Sequence, residues 1–291
     1  MKNILLAFSV AVFAVLDANA FDLGHLLAKS VLHIAAGGQP ARYASDIPAL
    51  PRDSGSFEAC RRVFSQGKEP RLPANAARGK PLCFEGFAVL YSTTTKTPIY
   101  SAEVLTRQRV QAAMGEPRTN NFFEDPRLAA TEQASLQDYR GSGLDRGHLT
   151  PAADAPNELE MSQTFSLANM IPQAPENNRK AWADIEKATR KFAIRAGGNV
   201  YVITGPVFQQ GNCPTASGVP NVRVSASNCT IGNGVAVPSH LFKLVYDEAQ
   251  GRAWAHWIEN TDNARVGKPI SYQELVQRTG IEFLPGIRVK G

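Results

Sequence analysis

The chain has 291 residues, with 31 Lys and Arg against 26 Asp and Glu, which gives a formal net charge of +5. This length allows one large domain with an N-terminal extension, or one full domain and a small one. It contains no internal repeat or low-complexity tract, which excludes a repeat protein, and the positive charge favours polyanionic partners such as nucleic acid, cell-surface polymers or anionic lipid.

Residues 1–20 have the pattern of a secretory signal peptide. Lys2 precedes an apolar run over residues 4–16, and the Ala-Asn-Ala of residues 18–20 fits the small-residue rule for signal peptidase. The run is shorter than the roughly 20 residues that a membrane span needs, and no later segment could span a bilayer. We therefore expect an exported protein, periplasmic or secreted, without stable membrane association. An uncleaved anchor is the alternative, because Asp17 lies close to the cleavage site.

Residues 21–81 are expected to form an N-terminal extension, a helix followed by a loop-rich arm. Apolar residues recur at helical spacing over residues 21–38, which end in two glycines, and residues 39–81 are rich in Pro, Arg, Ser and Gly. His25 and His33 lie in or beside that helix, either as metal ligands or as ordinary helix residues.

The four cysteines form two pairs that are local in sequence. In an exported protein we expect the disulfides Cys60–Cys83 and Cys213–Cys229, although four cysteines permit three connectivities. A zinc site is not expected, because no pair has Cys-x-x-Cys spacing.

Residues 82–291 contain the remaining predicted elements. Alternating apolar residues predict a β-hairpin over residues 84–106, and a polar loop follows over residues 115–143. The 3.6-residue period predicts a helix over residues 178–192. Strands are expected at residues 200–204, 236–247 and 253–259, with structural roles for the histidines His240 and His256 on them.

Residues 145–148 read Asp-Arg-Gly-His, and polar residues suited to phosphodiester hydrolysis surround them in sequence. His148 could take a proton from water near neutral pH. The guanidinium groups of Arg118, Arg146 and Arg190 could grip phosphate, and amide or carboxylate oxygens could hold a hydrated Mg²⁺ ion that relieves phosphoryl charge.

Each of these residues also has an ordinary structural interpretation. A lone His is more often packed or exposed than a base, and Arg118 could be a solvated loop charge. Glu186 and Arg190 have the i, i+4 spacing of a helix salt bridge. Asn177 and Asn178 could simply cap the helix.

Taken together, the motifs resemble a known family. Residues 145–148 resemble the Asp-Arg-Gly-His signature of the DNA/RNA non-specific endonucleases, which are ββα-metal enzymes. Residues 169–173 resemble the family's Asn-x-x-Pro-Gln segment, and residues 178–182 its Asn-x-x-x-Trp helix start. The resemblance covers most of residues 84–260. It implies an α+β fold with a central, mainly antiparallel sheet flanked by helices and a ββα-metal finger.

The resemblance also implies a role for each matching residue. His148 would be the general base, and Asn178 would be the one direct protein ligand of Mg²⁺, with Mn²⁺ as a substitute for it. Glu186 would hold waters around the ion, and Asn169 would orient the base or that water shell. The arginines Arg146, Arg190 and Arg118 would contact phosphates, and Asp145 would be a support rather than a ligand.

The sequence thus predicts an exported, Mg²⁺-dependent endonuclease that cleaves DNA and RNA to 5′-phosphate and 3′-hydroxyl ends. An exported nuclease would digest nucleic acid for nutrients or act as a toxin, and a toxin would need a cognate inhibitor or immunity protein. The alternatives are a catalytically inactive, exported nucleic-acid-binding protein and a hydrolase of another phosphodiester or of a cell-wall polymer.

Overall fold

A computed structural model describes residues 47–76, 79–209, 223–224 and 229–290. The strands are β1 Lys80–Cys83, β2 Phe87–Ser92, β3 Thr97–Leu105, β4 Asp145–His148, β5 Met170–Gln173, β6 Val200–Val207, β7 Arg223–Val224, β8 Cys229–Ile231, β9 Val235–Ala236, β10 His240–Asp247, β11 Arg252–Glu259 and β12 Ile270–Ser271. The α-helices are α1 Arg107–Ala113, α2 Leu136–Tyr139, α3 Glu158–Thr164, α4 Ala183–Arg195 and α5 Tyr272–Thr279. The predicted signal peptide, the predicted helix over residues 21–38 and Cys213 lie outside the described residues.

A seven-stranded antiparallel sheet with the order β1-β2-β3-β6-β10-β11-β12 forms the centre of the fold. The predicted hairpin is confirmed as β2 and β3. The strands predicted over residues 200–204 and 253–259 are confirmed as β6 and β11, whose ends lie within a few residues of the predicted ones. The strand predicted over residues 236–247 is wrong as one element. It divides into β9 and β10, because Pro238 has no backbone N–H to donate to a continuous ladder.

Both faces of this sheet are buried. Alternate residues of β10 point to opposite faces of the sheet. On one face, Phe242 and Leu244 belong to a cluster with Phe57, Phe64 and Leu275 of α5. On the other face, Leu241 packs with Trp182 and Ile185 at the start of α4. The predicted α+β class, a mainly antiparallel sheet flanked by helices, is therefore confirmed.

The described part of the predicted arm contributes to this core. Residues 47–76 contain only short 3₁₀ turns, as loop-rich composition predicts, but Phe57 and Phe64 are buried against Tyr100 of β3 and against each other. The predicted Cys60–Cys83 disulfide is present and joins this segment to β1. Within the described ranges, no helix has both the length and the apolar character to cross a membrane.

Candidate active site

A two-stranded ladder and a helix bring the sequence motifs together. β4 pairs antiparallel with β5, with Asp145 opposite Gln173 and His148 opposite Met170. Gly147 is required there, because a Cβ at this position would collide with the Gln173 side chain. The chain then enters a π-helical turn, Asn177–Trp182, which continues into α4. We call β4, β5 and this helix the ββα finger.

The finger borders a cavity of about 200 Å³ that holds most of the predicted site residues. Its lining residues are Arg118, Arg146, His148, Pro151, Ala152, Ala153, Asn178, Ala183 and Glu186. Five of the seven residues predicted from sequence thus share one cavity, although they come from a loop, a strand and a helix. Asn169 and Arg190 do not line it.

Asn178 is oriented from behind by Asp145. Its Nδ2 donates a hydrogen bond of 2.9 Å to Asp145 Oδ2, which leaves Oδ1 without a partner among the described residues. Asp145 also accepts from Arg179 at 2.6 and 2.9 Å. The neighbouring Asn177 holds the start of the helix to the sheet by donating to the Glu259 carbonyl. Neither Asn177 nor Asn178 caps the helix through its side chain, so the capping interpretation of these two residues is wrong. The turn that carries them is π-helical, and such turns are frequent at functional sites.

His148 is 8% exposed, and its Nε2 has no hydrogen-bond partner in the described part of the chain. Burial is the main cause that lowers its pKa, and the positive charges of Arg118 and Arg146 lower it further, to about 3. The imidazole is therefore neutral throughout the physiological pH range. A neutral imidazole can accept a proton, whereas an imidazolium cannot.

Arg118 and Arg146 approach the cavity on aromatic rings. The guanidinium carbon of Arg146 lies 4.0 Å from the ring centroid of Phe122, and that of Arg118 lies 5.1 Å from the centroid of Phe165. Burial lowers the pKa of Arg118 from its usual value. Stacking on a ring face leaves the N–H edge of a guanidinium available for an anion.

Glu186 reaches the cavity from α4, two turns after Asn178. Burial raises its pKa to about 7, Lys243 opposes the rise, and the negative charge of Asp154 adds to it. A cation in the cavity would favour the ionised carboxylate.

Asn169 is fully buried and bonded to backbone on every side. Its Oδ1 accepts from the Thr150 amide at 3.0 Å, and its Nδ2 donates to the carbonyls of Thr150 and Thr164. These bonds fix the chain two residues after His148. The side chain therefore acts on the cavity through the backbone that carries the histidine.

Arg190 pairs with Asp154 behind the cavity, at 3.0 Å from Nη1 to Oδ1. Asp154 is almost entirely buried, and its charge raises the pKa of Arg190. The i, i+4 salt bridge with Glu186 that the helix spacing allows is not formed. The actual partner of Arg190 is Asp154, 36 residues earlier in the chain, which the i, i+4 spacing of the helix could not predict.

Sequence reasoning missed three further groups around the cavity. Phe122 and Phe165 both contact the His148 ring, at centroid distances of 5.8 and 5.0 Å. Lys243 is fully buried in β10 and donates to Thr204 Oγ1 at 2.7 Å, with the Leu149 carbonyl 3.5 Å away. No local motif marks any of them, although a lysine in a buried strand pattern is a signal for a polar partner.

The donor atoms fit a hydrated hard cation. Asn178 and Glu186 line one cavity, and neither Asn178 Oδ1 nor the Glu186 carboxylate accepts a hydrogen bond from the described residues. Oxygen donors suit Mg²⁺, which binds few protein ligands and keeps several waters. The described ranges contain no group of three or more His, Cys, Asp or Glu that could hold a metal ion.

Nucleases from several organisms are similar in sequence to this chain. "Nuclease 1, mitochondrial" of Schizosaccharomyces pombe is 36% identical over 170 residues, which are 57% of this chain and 51% of that protein. "Endonuclease G, mitochondrial" of Homo sapiens is 35% identical over 70% of this chain and 69% of that protein. The bovine endonuclease G is 34% identical over 87% and 80%. The chain thus spans about half the length of the fission-yeast protein and more than two thirds of the mammalian ones.

These relatives correct the expected localisation. The prediction of a periplasmic or secreted protein is wrong, because the similar proteins from fission yeast, human and cattle are mitochondrial nucleases. That prediction depended on the apolar run and small residues of residues 1–20 alone.

The solved structure of the EndoG/EndoGI complex, on the mechanism of EndoG inhibition, matches with a TM-score of 0.60 over 82% of this chain and 94% of that chain. At 24% identity this likeness shows the fold alone. The family model described as DNA/RNA non-specific endonuclease matches residues 71–290, which include the whole finger and every cavity residue. The resemblance inferred from the motifs is confirmed: the chain belongs to the DNA/RNA non-specific endonuclease family and is a nuclease, a hydrolase of phosphodiester bonds.

Proposed function

We propose that this nuclease cleaves both DNA and RNA internally, with Mg²⁺ as its metal and Mn²⁺ as a substitute, and leaves 5′-phosphate and 3′-hydroxyl ends. The observation that carries the proposal is the shared cavity of His148, Asn178 and two arginines. A base, an oxygen ligand for a cation and two phosphate donors within about 200 Å³ can act on one phosphodiester.

His148 takes the proton from the attacking water. In the free protein its pKa of about 3 makes it a weak base, because burial and two arginines disfavour the imidazolium. A phosphate between Arg118 and Arg146 brings negative charge beside the ring and offsets both guanidinium charges. The phosphate therefore opposes the part of the pKa lowering that the two arginines cause, whereas the larger part, from burial, remains.

Arg146 and Arg118 hold the phosphate, and the remaining predicted residues position the site. Asn169 holds the backbone that follows His148, and Arg190 balances the buried Asp154. Asn178, with Glu186 beside it, holds the divalent cation. When bound, that cation supplies charge neutralisation at the phosphoryl oxygens and assists departure of the 3′ oxygen.

Poor sequence specificity follows from these contacts. Phosphate contacts carry no base information, and every cavity residue assigned above acts on phosphate, on water or on the cation. The structure related by fold is a complex with an inhibitor. We therefore include a protein inhibitor among the partners proposed for this chain, alongside DNA and RNA.

The test is cleavage of supercoiled plasmid and of RNA by the full chain, in Mg²⁺ or EDTA, beside His148→Ala. The matched control is His240→Ala, because His240 lies on β10 outside the cavity, and its one side-chain hydrogen bond within the described ranges is with Ser239. Cleavage of both substrates that is lost in EDTA and in His148→Ala, but kept in His240→Ala, supports the proposal. Binding without cleavage in Mg²⁺ overturns it in favour of a catalytically inactive binding protein.

A further inference from the structure

Three rings form one cluster at the wall of the cavity. His148 meets Phe165 edge to face at 5.0 Å, Phe165 meets Phe122 edge to face at 4.9 Å, and Phe122 lies 5.8 Å from His148. Phe165 is fully buried, whereas Phe122 is partly exposed and lies in the loop between α1 and α2, where the sequence predicts an uninterrupted loop over residues 115–143. Phe122 also packs against two buried clusters, one that includes Leu167 and Met170 and one that includes Met161 and Phe165, so its ring joins the core to the wall of the cavity.

Arg146 is supported by the ring of Phe122, whereas Arg179 and Arg190 in the finger region are each held by a carboxylate. Arg179 is held by Asp145, and Arg190 by Asp154. The Arg146 guanidinium has neither a hydrogen bond nor an ion pair among the described residues, and lies 4.0 Å from the Phe122 centroid. The face of that ring is therefore what limits the orientations of the guanidinium.

The backbone beside Phe122 is fixed strongly enough to make the ring a platform. The Phe123 amide donates to the Phe165 carbonyl at 3.2 Å, and the Leu167 amide donates to the Phe123 carbonyl at 2.8 Å. Phe123 and Ser166 form a parallel bridge at the same point. These bonds attach the loop to the segment after α3. Phe122, the residue directly before Phe123, therefore has a defined position.

Building on the proposed nuclease function, we propose that Phe122 is a positioning residue, whose ring holds the Arg146 guanidinium ready for the phosphate and covers one side of His148. An arginine without this platform must lose rotamer freedom when the phosphate arrives. The ring therefore contributes to turnover through Arg146, and needs no contact of its own with the nucleic acid.

The test compares three variants of the full chain. Phe122→Leu keeps an apolar side chain but removes the π face, Phe122→Tyr keeps the π face, and Phe208→Leu changes an exposed phenylalanine outside the cavity. We expect Phe122→Leu to lower kcat about 3- to 30-fold with a smaller change in KM, the range for loss of one cation–π contact. Phe122→Tyr and Phe208→Leu should stay within about twofold of the parent chain.

A double-mutant cycle with Arg146→Ala separates positioning from a merely structural role. The cycle is measured as kcat/KM in Mg²⁺, and as the dissociation constant of a short DNA duplex in EDTA. If Phe122 acts through Arg146, Phe122→Leu has no further effect in the Arg146→Ala background. Additive effects overturn the proposal, and so does a loss in Phe122→Leu that Phe122→Tyr shares.

The two proposals fail in different ways. If the parent chain does not cleave, the proposed function fails, and the EDTA arm still measures the coupling between Phe122 and Arg146. If the parent chain cleaves and Phe122→Leu equals it, only the positioning role fails. A loss of affinity for single-stranded DNA that persists in the Arg146→Ala background would show base stacking on the ring instead, and would also overturn the inference.

Discussion

Asp145 offers a direct test of the proposed metal site, because it touches the proposed ligand without lining the cavity. It accepts a hydrogen bond of 2.9 Å from Asn178 Nδ2, and this bond directs the opposite atom, Oδ1, away from Asp145. Asp145→Ala removes the acceptor. The amide can then rotate, and either its nitrogen or its oxygen can face the cavity.

The expected loss of metal affinity follows from the typical energies of the two contacts that Asp145 makes, with Asn178 and with Arg179. Partners that orient metal ligands typically contribute about 10- to 100-fold in metal affinity or activity. That range is about 1.4–2.8 kcal/mol, which agrees with the about 1.5–3 kcal/mol of a hydrogen bond to a charged group. The second contact, to Arg179, contributes little, because that side chain is 64% exposed and surface ion pairs are worth about 0–1 kcal/mol.

The assay is plasmid cleavage as a function of Mg²⁺ concentration. Asp145→Ala should raise the half-saturating Mg²⁺ concentration about 10- to 100-fold, whereas Arg179→Ala should raise it at most about fivefold. Asp145→Asn keeps an oxygen acceptor for Asn178 Nδ2 without the charge, and should fall between Asp145→Ala and the parent chain. Thermal unfolding in EDTA provides the control for folding.

Two results would refute this reasoning. If Asp145→Ala has the half-saturation and maximal rate of the parent chain, the orientation of Asn178 does not matter and its role as ligand fails. If Asp145→Asn is as impaired as Asp145→Ala, the carboxylate charge matters rather than the orientation of the amide.

Three further predictions concern the buried charges around the site. Arg190→Ala leaves the Asp154 carboxylate buried and unpaired, so the free energy of unfolding measured in urea should fall by about 3–5 kcal/mol. The control Arg195→Ala, at an exposed position, should lower it by about 0.5 kcal/mol or less. Equal losses in the two variants would contradict the pairing of Arg190 with Asp154. Burial, reinforced by the charge of Asp154, raises the pKa of Glu103, whose carboxyl oxygens have no hydrogen-bond partner among the residues that the structure describes. Folding therefore favours the protonated form of Glu103, and the free energy of unfolding falls as pH rises above 4.5. Glu103→Gln should therefore melt at or above the parent temperature at pH 8, with the difference shrinking toward pH 4.5. The pKa of His148 is lowered from 6.5 to about 3, so the stability that its neutral form contributes is present above pH 6.5 and is lost as pH falls toward 3. The free energy of unfolding of the parent chain should then decrease by up to about 1.4 kcal/mol per pH unit more steeply than that of His148→Gln, and parallel curves would exclude the shift.

Local patterns were sufficient for the elements that carry the site. Alternation predicted the β2–β3 hairpin, and the 3.6-residue period predicted the helix that starts near Asn178. Both signals are strong because each element buries a face whose spacing is set by its own geometry. The same signals did not reveal the break at Pro238 or the π-helical turn before α4. These two features depend on which backbone groups find partners across the sheet and the finger.

The positions of the charged side chains could not be predicted from spacing, because their partners are distant in sequence. Glu186 and Arg190 have the spacing of a salt bridge, yet Arg190 pairs with Asp154. Asn169 belongs to a motif that suggests catalysis, yet its hydrogen bonds all go to backbone around Thr150. A motif records which residues occur together, and it does not separate a group that touches substrate from one that holds the chain.

The arrangement of charge explains why Arg190 and the cavity arginines differ in role. Asp154 and Glu103 lie buried behind the cavity with Lys243, and Arg190 contacts the first of these carboxylates. A guanidinium engaged in this way has part of its charge compensated before substrate arrives. Arg118 and Arg146 rest on neutral rings instead, so their charge remains available for phosphate, and it adds to the burial that lowers the pKa of His148. Aromatic support therefore achieves what a carboxylate partner could not, because it orients an arginine without neutralising it.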